Sequence, residues 1–314
     1  MKIFIAGASG AMGSQLVPQL VARGHEVVGT TRSAGKVGAL RTLGAEPVVV
    51  DALDPEAVAE AVAKAEPEVV VHQLTALGGR PSFREVKRMA AATNRLRTEG
   101  TDHLLAAARA VGVRTFVAQS NAIWVERTGG PVIDENGRLE PNPPKDAEPL
   151  VAALRHLEEA VTGISWADGI AIRYGAFYGP GTGVETASGA VMAEMIRKRM
   201  VPIIGGGGGM MSWVHITDAA SATVAAIERG RPGIYHVADD EPAPVRDVLP
   251  VLAKALGAKP PRRVPAWLVR LVAGQAPVHM MTQACGISSE KIKRELGWTP
   301  RYPSWRTGFA EGLR

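Results

Sequence analysis

Short, continuously apolar runs alternate with amphipathic stretches through the first half of the chain. Lys2 to Ala6 reads as a buried strand. Gly7, Gly10 and Gly13 follow, each three apart. Then Leu16, Val17, Leu20 and Val21 recur at helical spacing up to Gly24. "HEVVGTT" is a second strand, and "EPVVVDALD" a third that ends at Asp51. "PEVVVHQLTAL" is a fourth, ending near His72, and "VRTFVAQSNAIW" a fifth. The alanine-rich 56–65 carries a helical pattern, and 84–111 is expected to be one long helix. Strands alternating with helices predict an α/β fold, a doubly wound parallel sheet with helices on both faces. Ligands of such sheets bind beyond the strand C-termini. Asp51, His72, Gln73 and Ser120 stand at those ends.

The glycine turn has its own chemistry. A tight turn that opens a helix sets unpaired N–H groups against a phosphate, and glycines let the backbone come close. The spacing is GxxGxxG, so the weight comes from the strand–turn–helix–strand context. Gly7, Ser9, Gly10, Ala11, Met12 and Gly13 are the candidate pyrophosphate cradle. At the end of the second strand, NAD sites usually place a carboxylate for the ribose 2′-hydroxyl. Here stand Thr30, Thr31, Arg32 and Ser33, with Lys36 one turn on. A pairing of Arg32 with a 2′-phosphate is worth ~1.5–3 kcal/mol. The expected cofactor is therefore NADP(H) in preference to NAD(H).

Composition adds exclusions. The chain has 314 residues, 46% hydrophobic and 21% charged, which suits a globular protein with a sizeable core. A net charge of +5 is spread without basic runs or interleaved aromatics, which argues against nucleic acid and suits an anionic small molecule. The lone Cys285 forbids an internal disulfide and fits a reducing cytoplasm. No apolar run is long enough for a bilayer, so no membrane association is expected. The seven histidines are dispersed without ligand spacing, so no metal is expected. No GxSxG elbow and no fixed-period repeat occurs, and "GGGGG" at 205–209 reads as a flexible turn.

Taken in order, "GASGAMG", "VVVDALD", "VVVHQLTA", "TNRLRTEGTDHLLAAA", "FVAQSNAIW", "AIRYGAFYGPG" and "SWVHITDAASATVAAI" resemble the extended short-chain dehydrogenases/reductases of the NAD(P)-dependent epimerase/dehydratase type. So do "GIYHVADDEPAPVRDVL" and "SSEKIKRELGWTPRYPSWRTGF", and the likeness runs almost end to end. The resemblance implies a Rossmann-type cofactor domain over 1–172 plus 211–238. A smaller C-terminal substrate-binding lobe would use 173–210 plus 239–314. It places Asp51 and Ala52 beside the adenine, Gln73 and Leu74 along the cofactor, and Ser120 where the family has its catalytic Ser or Thr.

In that family a tyrosine, followed four residues later by a lysine, supplies the proton and holds the nicotinamide ribose. "EPLVAALRHLEEAV" (148–161) has neither. Counting back from Glu159 puts Val151 at the tyrosine position and Arg155 at the lysine position. Arg155 would still hold the ribose, but it cannot readily shuttle a proton. The four tyrosines, Tyr174, Tyr178, Tyr235 and Tyr302, are followed four residues on by Tyr178, Thr182, Asp239 and Arg306. Members acting on nucleotide sugars commonly carry Asn where Ala176 stands, which counts against such substrates.

The reading that results is an NADPH-dependent ketoreductase, an oxidoreductase acting on a bulky, apolar carbonyl compound. An aromatic polyketide-like product of antibiotic biosynthesis is the suggested substrate class. Ser120 or the substrate's own neighbouring hydroxyl would stabilise the oxyanion. Trp124, Tyr178, Met192 and Met281 are the candidate substrate contacts, methionine suiting irregular apolar pockets. A monomer or homodimer is expected. The competing readings are a non-catalytic NADP-binding sensor or scaffold and a nucleotide-sugar epimerase or dehydratase.

Overall fold

The computed structural model describes residues 1–77 and 83–314. Its centre is one seven-stranded sheet: β1 (Lys2–Ala6), β2 (Glu26–Thr31), β3 (Glu46–Val49), β4 (Val69–His72), β5 (Thr115–Asn121), β6 (Asp168–Tyr174) and β7 (Gly233–Val237). The spatial order is β7-β6-β5-β4-β1-β2-β3. Every pairing is parallel. The order turns back between β1 and β4, so a crevice opens there at the strand C-termini.

The helices that cover the sheet are α1 (Ala11–Val21), α2 (Val37–Thr42), α3 (Pro55–Ala65), α4 (Phe83–Arg97), α5 (Glu99–Ala110), α6 (Glu148–Thr162) and α7 (Ile216–Arg229). Alternate strand residues feed opposite faces. Ile3 and Ile5 pack with Leu16, Leu20 and Ile216 on one side. Phe4, Val70 and Phe116 pack with Val62, Leu104 and Leu157 on the other. A separate apolar cluster beyond the sheet holds Tyr178, Trp213, Val248, Leu252, Trp305 and Phe309. Among the described residues no helix is long and apolar enough to cross a membrane.

The long helix expected over 84–111 is two helices. Thr98 leaves helical geometry at φ −100° and ψ −86°. Its Oγ1 donates to Asn94 O at 3.1 Å, the back-bonding by which threonine competes with a helix. Gly100 then gives the redirected chain no side chain to place. The break sets the C-terminal turn of α4, and Arg97 with it, against the end of β4.

Candidate active site

Gly7 turns the chain after β1 at φ +93°, where a Cβ would stand 2.9 Å from the Gln73 backbone. At Gly13 a Cβ would meet Ala8 O at 2.2 Å, so helix and strand pack only with glycine there. Gly10 caps α1 without a side-chain bond, and no acid stands in the first turn. The first helical bond runs from Ser14 N to Gly10 O at 2.9 Å. Among the described residues the N–H groups of Ala11, Met12 and Gly13 therefore lack acceptors. The Gln73 side-chain amide is buried nearby beside the Tyr174 hydroxyl, and neither its oxygen nor its nitrogen makes a hydrogen bond of good geometry. Three free N–H groups and a dipole end fit a dinucleotide diphosphate.

At the end of β2, buried Thr31 accepts bonds from Ser9 Oγ at 3.1 Å and from Ser33 N at 3.2 Å. Lys36 Nζ donates to Ser9 O at 3.4 Å, while Arg32 is exposed and makes no ion pair with a described residue. Asp51 Oδ1 accepts from Leu53 N at 3.1 Å, and buried Ala52 lends its carbonyl to His103 Nδ1 at 3.0 Å. His72 is fixed by Leu74 N, which donates to its Nδ1, and by its own Nε2–H on Leu96 O, both at 3.1 Å. Burial holds its pKa down to about 4, so the ring is neutral.

Beyond β5 the site is built differently from the expectation. Ser120 Oγ donates its one proton to Glu158 Oε1 at 2.5 Å. Glu158 also receives Arg173 Nε at 2.8 Å and Nη2 at 2.7 Å, and Arg173 Nη1 donates to Gly137 O at 2.5 Å. The pair is buried on both sides. In this geometry Ser120 has no proton left for a substrate oxygen. The next residue is differently placed. Asn121 Oδ1 is pinned by Ile123 N at 2.7 Å. Its Nδ2 bonds no described residue and is not among the sealed polar atoms.

Ala122 and Ile123 then line a small apolar recess of about 50 Å³ with Met210, Met280, Met281 and Cys285. Trp124 stacks on His279, ring centroids 5.2 Å apart, above Leu139, Val151 and Leu154. Met281 is on the recess wall, whereas Met192 is exposed. Tyr178 is withdrawn: it is fully buried among Trp213, His215 and Phe309, and its hydroxyl has no partner. Arg155 is half-buried, with Nη2 on Glu140 O at 3.1 Å.

A profile of the NAD dependent epimerase/dehydratase family matches residues 3–238. The chain belongs to that family. A Streptomyces protein, "3-diazoavenalumate denitrifying reductase", is 44% identical over 98% of this chain and 99% of its own. The 2-alkyl-3-oxoalkanoate reductase of Stenotrophomonas maltophilia is 27% identical over 100% of this chain and 98% of its own. Among solved structures, the UDP-glucose 4-epimerase of Thermus thermophilus in complex with NAD superposes with a TM-score of 0.74. It is 26% identical, covering 100% of this chain and 98% of that one. The protein is thus an NAD(P)-dependent oxidoreductase of the epimerase/dehydratase family, with reductases among its relatives.

One carboxylate of the pair on α6 faces inward. That carboxylate is Glu158, while Glu159 is exposed. Counting back from Glu158 instead of Glu159 would give Leu150 and Leu154 in place of Val151 and Arg155. Leu154, Val151 and part of Leu150 pack on the Trp124 cluster, so this face of α6 is apolar. The sequence reasoning missed Glu158, Arg173, Asn121 and Arg97. "EE" at 158–159 offers two candidates, and the apolar period Val151, Leu154, Leu157, Val161 puts the first on the buried side.

Proposed function

We propose that this protein is an NADPH-dependent reductase that places hydride on an aromatic substrate at a centre needing no acid from the protein. The apolar face of α6 carries this reading: Leu150, Val151 and Leu154 stand on it, and the helix holds neither tyrosine nor lysine. When bound, the nicotinamide would supply the hydride. The first candidate substrate is an arene diazonium, since the 44%-identical relative is named for denitrifying a diazo acid. R–N₂⁺ plus hydride gives R–H and N₂. The C–N bond breaks, its electron pair leaves with nitrogen, and no oxygen remains to be protonated. The chain's own part would be to orient the ring in the Met280–Met281 recess, to keep water from it, and to hold it by Asn121 Nδ2. Arg32 and Lys36, with no carboxylate beside them at the end of β2, support NADPH over NADH.

A second reading, reduction of a bulky ketone, is favoured by the oxoalkanoate reductase among the relatives and by the same recess. Asn121 would then donate a hydrogen bond to the oxyanion but no proton. Solvent or a neighbouring substrate hydroxyl must supply that proton. The deciding experiment follows NADPH absorbance and released dinitrogen with diazotised 3-aminobenzoate, beside polycyclic ketones with and without an adjacent hydroxyl. One N₂ per NADPH oxidised, with NADH slower, is the expected result. Turnover of ketones alone sinks the diazo reading. NADPH binding without any turnover sinks both.

A further inference from the structure

Arg97, at the last turn of α4, is buried to 6% exposure yet has no acidic partner among the described residues. No described carbonyl or side chain accepts from its guanidinium, and none of its nitrogens is sealed from solvent. Arg173 shows the ordinary solution in the same protein: two bonds to Glu158 and one to Gly137 O. A buried guanidinium left alone is strongly unfavourable unless an anion arrives to meet it. Burial holds its pKa down to about 10, so it remains a cation at neutral pH.

Its position gives the cation a use. Thr93, one turn earlier on the same buried side of α4, accepts from Ala76 N at 3.0 Å in the segment that prolongs β4. Leu96, the preceding residue, holds His72 through its carbonyl, and the Arg97 charge helps depress the His72 pKa. Gln73, whose buried amide lies beside the Tyr174 hydroxyl, follows His72 directly. An unsatisfied cation thus stands at the C-terminal end of β4. That is the end of the sheet where the crevice lies.

We infer that Arg97 binds an oxyanion in this crevice, the carboxylate of an aromatic acid substrate or a phosphate of the cofactor. The inference rests on the proposed function only in choosing an aromatic acid as the substrate probe. It supplies from α4 a cation without a carboxylate partner, and a planar fork suited to carboxylate or phosphate.

The test is by binding, so it stands or falls apart from turnover. Cinnamate and methyl cinnamate are titrated by calorimetry into the NADP⁺-loaded protein, and NADP⁺ into the apoprotein. Wild type, Arg97→Met and Arg97→Lys are compared. If the substrate is the source, wild type prefers the acid over the ester. Arg97→Met then loses about 10- to 100-fold on the acid alone, and Arg97→Lys loses less. If the cofactor is the source, the loss falls on NADP⁺ and spares the acid-to-ester ratio. In either case apo Arg97→Met melts at a higher temperature than wild type, because an unpaired buried charge has gone. Unchanged constants for both ligands overturn the inference, and so does a lower melting temperature with unchanged constants. Should Arg97→Met not fold, Arg97→Lys decides: constants equal to wild type for both ligands overturn it as well.

Discussion

Ser120 and Asn121 are neighbours with opposite situations. Ser120 has one proton and has given it to a carboxylate held by an arginine. Asn121 has its oxygen occupied and its Nδ2 unoccupied. Substitutions should separate them. Asn121→Ala is expected to lower kcat/KM about 10- to 100-fold, the cost of one aimed donor, with NADP⁺ affinity unchanged. Ser120→Ala should leave kcat/KM within a few-fold and show its effect in stability. Steady-state kinetics on both variants check this; equal losses in both would mean that Ser120 turns toward the substrate during turnover.

At the scale of elements, α6 is tied to the sheet through one buried ion pair. Glu158 on the helix meets Arg173 on β6 and Ser120 on β5, which are register partners. Removing one member leaves the other's charge buried and unmatched, which costs ~3–5 kcal/mol. Glu158→Gln should therefore lower the unfolding free energy by that order in a denaturant titration. Glu159→Gln, on the exposed side of the same turn, should change it little. An equal effect of the two would put the inward face of α6 one residue on, at the count made from Glu159. The same logic explains why "EPLVAALRHLEEAV" remains a good helix without its polar pair. Apolar Leu150, Val151 and Leu154 cover Trp124, so this surface of α6 is packing.

For the molecule as a whole, stability should peak between two arms of pH. Burial pushes the Asp239 carboxyl up to about 8, so the folded state holds a proton that the unfolded chain loses near ~4. Its folded pKa is raised, so its stabilisation is fully present below pH ~4 and is lost as pH rises to about 8. Buried His72 and His236 work the other way. Their folded pKa values, about 4 and about 3, lie below the unfolded value near ~6.5. The unfolded chain then binds protons first, and stability falls as pH drops below ~6.5. Asp239→Asn should flatten the alkaline arm. Melting temperatures from pH 5 to 9 check it: the variant should gain on wild type toward pH 8, and a constant gap would assign the slope elsewhere.

The sheet, the glycine cradle and the absence of a carboxylate after β2 were all readable along the chain. Each depends on neighbours a few residues apart: apolar runs, a turn opening a helix, a strand end. The lack of a tyrosine–lysine pair was equally local, being a matter of which residue types occur at one spacing. What only the tertiary structure decided is which polar groups are spent and which are left over. Ser120 lies 38 residues from the carboxylate that takes its proton, and Glu158 lies 15 from its arginine. Glu158 and Glu159 look alike in sequence, and Arg97 looks like any other arginine on an amphipathic helix. Pairing is a property of three-dimensional neighbours, and a buried charge shows a function only when those neighbours fail to satisfy it.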